Sequence, residues 1–584
     1  MSFASVRSAA IGIALLFASP VAMAQSLAEL IDQYETFNRE GDPDEAARAA
    51  GVEARTWATV TPDYVEERAE QAAEMLAALN ALETAEAGPE TAILNHLLQA
   101  SVDAHRYDTA RIPFTGDWGF FAAPAYTAMR TRLTTRADAE AWTARVNDLP
   151  RFFDEQIENM QRGIDTGWTQ HGDPLATSIA QIRAQLVEDP TDSTLFLPFE
   201  SLDASELTEL EILTLKNKGK TAVQRAINAY ADLLQFMEDD YTPAARAAPG
   251  LATLQGGQEA YAVAVGFHTA GAGYSPEQIH QLGQSEVARI RAEMDEIIAE
   301  VAFEGSFEEF IAFLRTDPQF YAETPEELLE KASEMSKRLD AILPRYFGTL
   351  PRLPYGVEAV PASIAPGYTT GRYSGGDAEK GIAGTYLVNT YALDQRPLYE
   401  LPALSAHEAV PGHHLQIALA QELEDVPEFR KSYYATAFGE GWGLYAEKLA
   451  GEADFYRTPY ERFGQLSYEM WRACRLVADT GLHHYGWSRA EAEACFNENT
   501  ALAPLNIQTE VTRYIGWPGQ ATAYKVGELK ILELRAKAKE ALGEQFDIRA
   551  YHDVVLGAGA MPLDALEQRV DDWIASEQAD ISGE

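Results

Sequence analysis

Apolar residues at three- and four-residue spacing run through most of this chain and restrict it to a largely helical fold. Residues 66–83 show the pattern, which runs through most of residues 27–235. The prolines of residues 190–198 break it, and it resumes in 205–238, 275–302 and 324–343. The apolar positions of the first example are Ala69, Ala72, Ala73, Leu76, Leu79 and Leu82. Helical texture also dominates residues 404–573, so we predict a mainly α fold.

Residues 350–390 interrupt this texture. Prolines and glycines occur there too often for a long helix, whereas residues 384–390 are rich in β-branched and aromatic side chains. We therefore predict a small β element just before the helices that carry the chemistry. No internal repeat or low-complexity linker divides the chain. We expect a helical amino-terminal lobe over residues 25–345 and a catalytic lobe over 346–584, forming one continuous, two-lobed fold.

The first 24 residues have the pattern of a signal peptide. Arg7 precedes an apolar stretch over residues 9–21, and a small-x-small site ends at Ala24, so we expect cleavage before Gln25. No later stretch reaches eighteen apolar residues, so no stable membrane span is expected after cleavage. No cysteine lies directly after the apolar stretch, and this disfavours a lipid anchor. We expect a periplasmic or secreted protein.

Charge and cysteine content exclude some functions. The 90 acidic and 46 basic side chains give a formal charge of −44, which would repel phosphate backbones and argues against nucleic acid as a partner. The only two cysteines, Cys474 and Cys495, are too few for a cysteine-based zinc site. They could form one disulfide or remain free thiols, and sequence alone leaves both open. It also leaves the oligomeric state open.

The strongest chemical signal is a cluster of histidines beside a glutamate. His407, His413 and His414 are three of the eleven histidines and fall within eight residues, and Glu408 follows the first of them. Neutral imidazoles suit Zn²⁺, and an adjacent carboxylate can deprotonate metal-bound water. The spacing is longer than that of a His-Glu-x-x-His helix, so either His413 or His414 would be the second ligand.

Pro411 and Gly412 offer a way to accommodate this longer spacing. A straight helix would leave His407 and His414 about 10.5 Å apart along its axis, too far to share one ion. Proline favours a kink or wide bulge, which the metal hypothesis therefore requires. The alternative is that the histidine pair is a polar helix start and His407 a hydrogen-bonded core residue.

A second motif supplies a candidate third ligand. Glu440 lies 26 residues after His414 and 27 after His413, and an antiparallel helix could bring its carboxylate to the same ion. Glycines surround Glu440, at a cost in helix propensity of ~1 kcal/mol each, which suggests close helix packing. Glu447 lies on the same helix face two turns later and could orient a histidine ligand.

Taken together, these motifs resemble the bacterial "domain of unknown function 885" family, which is distantly similar to thimet oligopeptidase, angiotensin-converting enzyme and Taq-type carboxypeptidases. The resemblance is strong over residues 368–573 and covers the amino-terminal helices only by texture. It implies a gluzincin: two histidines and Glu440 holding Zn²⁺, Glu408 as general base, and short peptides entering a deep channel. The second histidine ligand stays open. The relatives' pattern is matched in part by His414, which is followed by Leu-Gln, and in part by His413, which is preceded by glycine.

The resemblance also implies substrate contacts. Residues 385–390 resemble the edge strand that pairs with extended substrate, although a small structural hairpin is the alternative. Tyr524 is the first choice, and Tyr514 the second, for the tyrosine that donates a hydrogen bond to the oxyanion, unless each is only a core residue. Apart from the resemblance, Arg513 or Arg372 could bind a substrate carboxylate by a bidentate bond, although most arginines merely face solvent.

Other functions remain open at the level of the sequence. The chain could be a catalytically inactive protein that binds zinc or peptide, or a metal-dependent hydrolase of non-peptide amides or esters. Nucleophilic catalysis is disfavoured, because neither cysteine lies in a recognisable reactive motif and no Gly-x-Ser-x-Gly elbow occurs. Asp479 and His483, one helical turn apart, either line the active site or form a structural hydrogen bond.

Overall fold

The computed structural model describes residues 25–82, 88–116, 119–202, 207–362, 365, 368–378 and 380–582. The predicted signal peptide, residues 1–24, lies outside the described residues. The mainly α fold is confirmed, with one small sheet between two long series of helices. Within the described part of the chain, no helix combines the length and the apolarity needed to cross a bilayer.

The helices before the sheet begin where the sequence provides starting signals. Ser275 caps one of them by accepting a hydrogen bond from the backbone N–H of Gln278, and Pro276 is its first residue. These helices are α1 (Leu27–Gly41), α2 (Pro43–Ala50), α3 (Pro62–Asn80), α4 (Pro89–Arg106), α5 (Ala123–Arg130), α6 (Arg136–Asn147), α7 (Leu149–Thr166), α8 (Gly172–Arg183), α9 (Glu209–Phe236), α10 (Gly257–Thr269), α11 (Pro276–Glu300), α12 (Phe307–Thr316), α13 (Pro325–Asp340) and α14 (Leu343–Tyr346).

A three-stranded sheet follows, made of β1 (Tyr355–Ala359), β2 (Gly371–Ser374) and β3 (Gly384–Val388) in the order β1-β3-β2. β3 runs parallel to β1 and antiparallel to β2. The predicted strand therefore exists, but its predicted place at the edge of the sheet is wrong. β3 pairs with a strand on each side. The prediction missed these two neighbours because the segments that supply them are short and rich in glycine and proline, and gave no strand signal.

The helices after the sheet surround the candidate site. α18 is almost entirely buried between α15 and α22, and α19 packs along α11. These helices are α15 (Leu401–Glu408), α16 (His413–Gln421), α17 (Glu428–Ser432), α18 (Thr436–Glu452), α19 (Pro459–Thr480), α20 (Arg489–Asn499), α21 (Pro504–Gly516), α22 (Ala523–Leu542), α23 (Ile548–Leu556) and α24 (Leu563–Ser582).

Two apolar cores hold the helices together. The larger core extends from Leu30 in α1 to Ile574 in α24, so it includes helices from both sides of the sheet. The smaller core lies between Trp57 and Tyr241 and joins α5 to α9. Cys474 and Cys495 form a disulfide between α19 and α20, with their Cα atoms 5.6 Å apart, which answers the question that the sequence left open.

Candidate metal centre

The chain breaks between the two histidine-bearing helices. α15 ends at Glu408 and α16 begins at His413, so residues 409–412 form a connection rather than a bent helix. The Val410–Pro411 peptide is cis, and a Cβ on Gly412 would lie only 1.9 Å from the carbonyl oxygen of His407. The indole N–H of Trp442 donates to the carbonyl of Pro411 at 2.8 Å and attaches this connection to α18.

This break brings His407 and His413 to the same carboxylate. The Nε2 atoms of both rings lie 3.5 Å from Oε2 of Glu440. The ring centroids are 4.7 Å apart and the rings are nearly perpendicular, at 86°. One candidate ligand atom from each of the three residues falls within 4.8 Å of the others. The structure thus brings together three of the four predicted metal ligands.

His414 lies outside this cluster. Its Nδ1 shares a hydrogen bond with the hydroxyl of Tyr373 at 3.0 Å, and its ring packs on Tyr355 with centroids 4.5 Å apart. Burial lowers its pKa to about 4. Because successive helical residues point about 100° apart, His413 and His414 cannot both face Glu440. The geometry therefore selects His413 and leaves His414 as the residue that attaches α16 to the sheet.

Glu447 fixes the orientation of His407. Its Oε1 accepts a hydrogen bond from Nδ1 of His407 at 2.7 Å, which leaves Nε2 directed at Glu440. Burial opposes protonation of His407, but its hydrogen bonds to Glu440 and Glu447 raise its pKa to about 9. Close packing depends on Gly443, where a Cβ would lie 2.5 Å from the His407 ring. The glycines of this motif therefore let α18 approach the imidazole.

Glu408 is held by the sheet. The backbone N–H of Tyr373 in β2 donates to Oε2 of Glu408 at 2.8 Å. The carboxylate is within electrostatic reach of His407 and of the Tyr434 phenol. Since Glu408 is the neighbour of a candidate ligand in the chain and is buried, it is placed to exchange a proton with a group bound at the cluster.

Sequence reasoning missed Tyr434. Its hydroxyl donates to Oε1 of Glu440 at 3.3 Å, and its ring lies over Gly439. Burial, together with the nearby Glu440 and Tyr524, raises its pKa well above the usual range, yet 44% of the residue is exposed. The phenol oxygen therefore lies beside Glu440, while part of the Tyr434 side chain remains exposed. Tyr434 precedes α18 in an irregular segment, where no periodicity could assign its direction.

The two predicted oxyanion tyrosines have different surroundings. Tyr524 is half-buried, accepts a weak hydrogen bond from the side-chain amide of Gln520 at 3.5 Å, and is within electrostatic reach of Tyr434. Tyr514 is only 1% exposed. Its hydroxyl donates to Glu510 at 2.7 Å and accepts from the indole of Trp471. Tyr524 is thus linked to the candidate centre through Tyr434, while Tyr514 fills a core position.

The predicted arginines and the Asp479–His483 pair also lie in different surroundings. Arg513 donates to the side-chain oxygen of Gln520 at 2.5 Å and lies 3.5 Å from the carboxylate of Glu510. Arg372 lies in β2, with its guanidinium 5.5 Å from the centroid of the Tyr368 ring. Asp479 accepts hydrogen bonds from the Tyr261 hydroxyl at 2.6 Å and from a backbone N–H. His483 bonds the backbone of two other segments, so both members of that pair hold structural contacts.

The donor set suits one class of metal. Two imidazole nitrogens and one carboxylate are the ligands of a catalytic zinc site, which keeps a further position for water or substrate. Second nitrogens of zinc-bound histidines are normally hydrogen-bonded, as that of His407 is to Glu447. Among the described residues, Nδ1 of His413 is buried and lacks such a partner, so this second histidine is supported differently from His407. The residue types and the convergence of His407, His413 and Glu440 nevertheless fit Zn²⁺.

Fold and site together define a mainly helical protein with a two-histidine, one-glutamate candidate metal centre next to a sheet-bound glutamate. The chain belongs to the family described as "bacterial protein of unknown function (DUF885)", whose model matches residues 44–570. Comparison with curated proteins gives no significant match.

Two solved structures resemble the chain over nearly its whole length. One, described as a "putative lipoprotein" of Colwellia psychrerythraea, is 26% identical, with a TM-score of 0.86 over 95% of this chain and 100% of that one. The other, described as a "putative lipoprotein of unknown function" of Shewanella oneidensis, is 17% identical, with a TM-score of 0.74 over 93% of this chain and 99% of that one. The second similarity concerns the fold alone.

Proposed function

We propose that this protein is a zinc metallopeptidase that hydrolyses short peptides, with Glu408 as the general base. One observation carries the proposal: Nε2 of His407 and Nε2 of His413 both lie 3.5 Å from one oxygen of Glu440. Glu408 is the next residue after the first of these histidines and is bonded to the sheet. This combination supplies both a metal-binding set and a fixed base.

Each residue of the site has its own role in the proposed hydrolysis. His407, His413 and Glu440 would hold the ion, which when bound polarises a carbonyl and lowers the pKa of a bound water to about 7. Glu408 accepts the proton of the attacking water and returns it to the leaving amine. Tyr524 donates a hydrogen bond to the carbonyl oxygen as negative charge develops there.

The sheet provides a place for the peptide backbone. The N–H of Tyr373 is directed at Glu408 and away from β3, so the outer edge of β2 faces the base. An extended peptide could add to this edge through backbone hydrogen bonds and place a scissile carbonyl beside Glu408. This edge takes the role that the sequence suggested for residues 385–390, which lie in β3 and the loop after it.

Export belongs to the same proposal. The signal-peptide pattern of residues 1–24 and the lipoprotein descriptions of the two similar structures both fit a protein of the bacterial cell envelope. Both cysteines of this chain are joined to each other, and neither lies near the proposed cleavage site in the sequence. We therefore favour a periplasmic or secreted protein released by cleavage after Ala24, acting on short peptides outside the cytoplasm.

The test compares wild-type protein with a Glu408→Gln variant. Each is analysed for metal and incubated with a library of short peptides, with and without a chelator. We expect zinc in both proteins, cleavage only by the wild type, and loss of that cleavage with the chelator. The loss of general base catalysis should lower kcat at least ~100-fold. Glu424→Gln, at an exposed position in the segment after α16, is the matched control and should leave cleavage unchanged.

Each remaining result has a defined meaning. Continued peptide cleavage by Glu408→Gln would remove Glu408 from its assigned role. Bound peptide without turnover in the wild type would favour a catalytically inactive binding protein. Cleavage of amides or esters without cleavage of peptides would favour a non-peptide hydrolase using the same residues.

A further inference from the structure

The two oxygens of Glu440 have different partners. Oε2 faces both candidate imidazoles, with Nε2 of His407 and Nε2 of His413 each 3.5 Å away. Oε1 accepts a hydrogen bond from the hydroxyl of Tyr434 at 3.3 Å. The side chain of Glu440 is only 16% exposed, so water contributes little to stabilising its charge. The carboxylate is therefore divided between an oxygen that faces the imidazoles and an oxygen held by a phenol.

The start of α18 fixes this contact of Tyr434. The ring lies so close to Gly439 that a Cβ there would be 2.4 Å from two ring atoms and 2.5 Å from the hydroxyl. The carbonyl of the buried Ala435 accepts the N–H of Gly439 at 2.9 Å. Tyr434 lies six residues before Glu440, so one short segment of backbone carries both groups. The glycine thus leaves room for the phenol beside the carboxylate.

The hydroxyl of Tyr434 has no second proton to give. A phenol carries one O–H donor, and a carboxylate oxygen accepts it. While Tyr434 donates to Glu440, it cannot also donate to a substrate carbonyl, which is the role proposed for Tyr524. Any effect of this hydroxyl on hydrolysis therefore passes through Glu440.

The orientation of a carboxylate ligand matters at a catalytic metal site. A carboxylate can offer a metal ion one oxygen or both. A catalytic zinc site uses three protein ligands and keeps a further position for water or substrate, so a second oxygen of Glu440 would compete for that position. Ligating carboxylates are themselves normally hydrogen-bonded, and losing such a partner costs about 10- to 100-fold in metal affinity or activity. Tyr434 supplies a partner of this kind to Oε1.

We propose that Tyr434 is a positioning residue of the metal centre, which holds one oxygen of Glu440 so that the other is presented to an ion shared with His407 and His413. This inference rests on the proposed function and adds to it a residue outside the predicted ligand set. Glu447 has the equivalent position behind His407. Within the described part of the chain, the second nitrogen of His413 has no such partner. The orientation of the centre therefore depends on Glu447 and Tyr434.

The experiment removes single hydroxyls from two neighbouring tyrosines. Tyr434→Phe loses the donor to Glu440 and keeps the ring. Tyr433→Phe is the matched control, because the hydroxyl of Tyr433 is buried and has no hydrogen-bond partner among the described residues. Its electrostatic neighbours include Asp564 in α24 and Tyr34 in α1, so it serves a different part of the fold.

Two measurements report on the metal centre without a known substrate. Each protein is stripped of metal and titrated with Zn²⁺ against a chromogenic chelator, and separately with Co²⁺, whose visible absorption depends on the number and geometry of its ligands. We expect Tyr434→Phe to bind Zn²⁺ at least ~10-fold more weakly than the wild type and to change the Co²⁺ spectrum. Tyr433→Phe should match the wild type in both. Gly439→Ala, which displaces the ring and keeps the hydroxyl, should also weaken Zn²⁺ binding.

The outcomes separate this inference from the proposed function. If the wild type binds Zn²⁺ and Tyr434→Phe binds it equally with an unchanged Co²⁺ spectrum, the inference is overturned and the proposed function stands. A loss of turnover in that case would mean that Tyr434 acts on the substrate. Equal losses in both tyrosine variants would also overturn the inference. Wild-type protein that binds no zinc would overturn the proposed function as well. If Gly439→Ala fails to fold, the two tyrosine variants still decide.

Discussion

At the scale of single residues, one carboxylate behind His407 determines which ring nitrogen faces the candidate metal centre. Glu447 is 1% exposed and accepts the Nδ1 hydrogen bond at 2.7 Å. Arg472 lies 3.5 Å from the same oxygen and compensates its charge. Removing the charge of Glu447 should weaken the hold on the imidazole, because such outer partners fix the tautomer and orientation of a metal-binding histidine.

We therefore expect Glu447→Gln to weaken zinc binding by about 10- to 100-fold, the usual effect of losing such a partner. Competition with a chromogenic chelator measures the affinity. Glu452→Gln is the control, since Glu452 lies on the same helix and pairs with Arg535 at the surface. Zinc affinity that is equal in the two variants would contradict the role given to Glu447.

The sequence predicted some of these residues and not others. The candidate ligand set of His407, a second histidine and Glu440 followed from residue type and spacing, and the structure brings these side chains together. Sequence could not choose between His413 and His414, because the choice depends on how residues 409–412 turn. Tyr434 gave no signal, since its direction is set by its contact with Gly439.

At the scale of the secondary-structure elements, contact between glycines sets the distance between α18 and α22. A Cβ on Gly527 would lie 1.8 Å from the carbonyl oxygen of Ala437 and 2.9 Å from the Cα of Gly441. Both contacts are with backbone, so no side chain can move aside. Because Glu440 is carried by α18 and Tyr524 by α22, this contact also positions the two sides of the candidate site.

A Gly527→Ala substitution should therefore destabilise the protein although alanine favours helices. Helix propensity would contribute about 1 kcal/mol in its favour, whereas overpacking typically costs about 1–3 kcal/mol. Gly266→Ala in α10 is the control, because a Cβ there meets nothing within 4 Å. Chemical denaturation measures the stability of both variants. Equal midpoints for the two variants would show that the helices can separate without cost.

Helix positions were largely predictable, and their relations were not. Three- and four-residue spacing located the long helices, and Ser275 marked the start of α11. The order of the three strands depends on pairing between segments far apart in the chain, as Tyr355 with Gly384 shows. Local pattern carries no information on such pairing, so the central place of β3 and the edge role of β2 appeared only in the structure.

At the scale of the whole molecule, the disulfide lies within the larger core. Cys474 is fully buried, and the bond closes a segment with a sequence separation of 21 between α19 and α20. The next residue after Cys474 is Arg475, which holds Glu510 and contacts the ring of Tyr524. The bond thus stabilises the helix that carries Arg475. Sequence alone could not establish it, because two cysteines give no information on their separation in space.

Reduction of this bond should lower the stability of the folded chain by about 3 kcal/mol, the value for a closed loop of this order of length. The physical reason is that the bond restricts the unfolded chain, which gains conformational freedom once Cys474 and Cys495 are separated. Denaturation with and without a reductant measures the effect, with alkylation and mass analysis confirming reduction. The double Cys474→Ala, Cys495→Ala variant should resemble the reduced wild type and should not respond to the reductant. A wild-type midpoint that stays unchanged after confirmed reduction would mean that core packing alone holds α20 against α19.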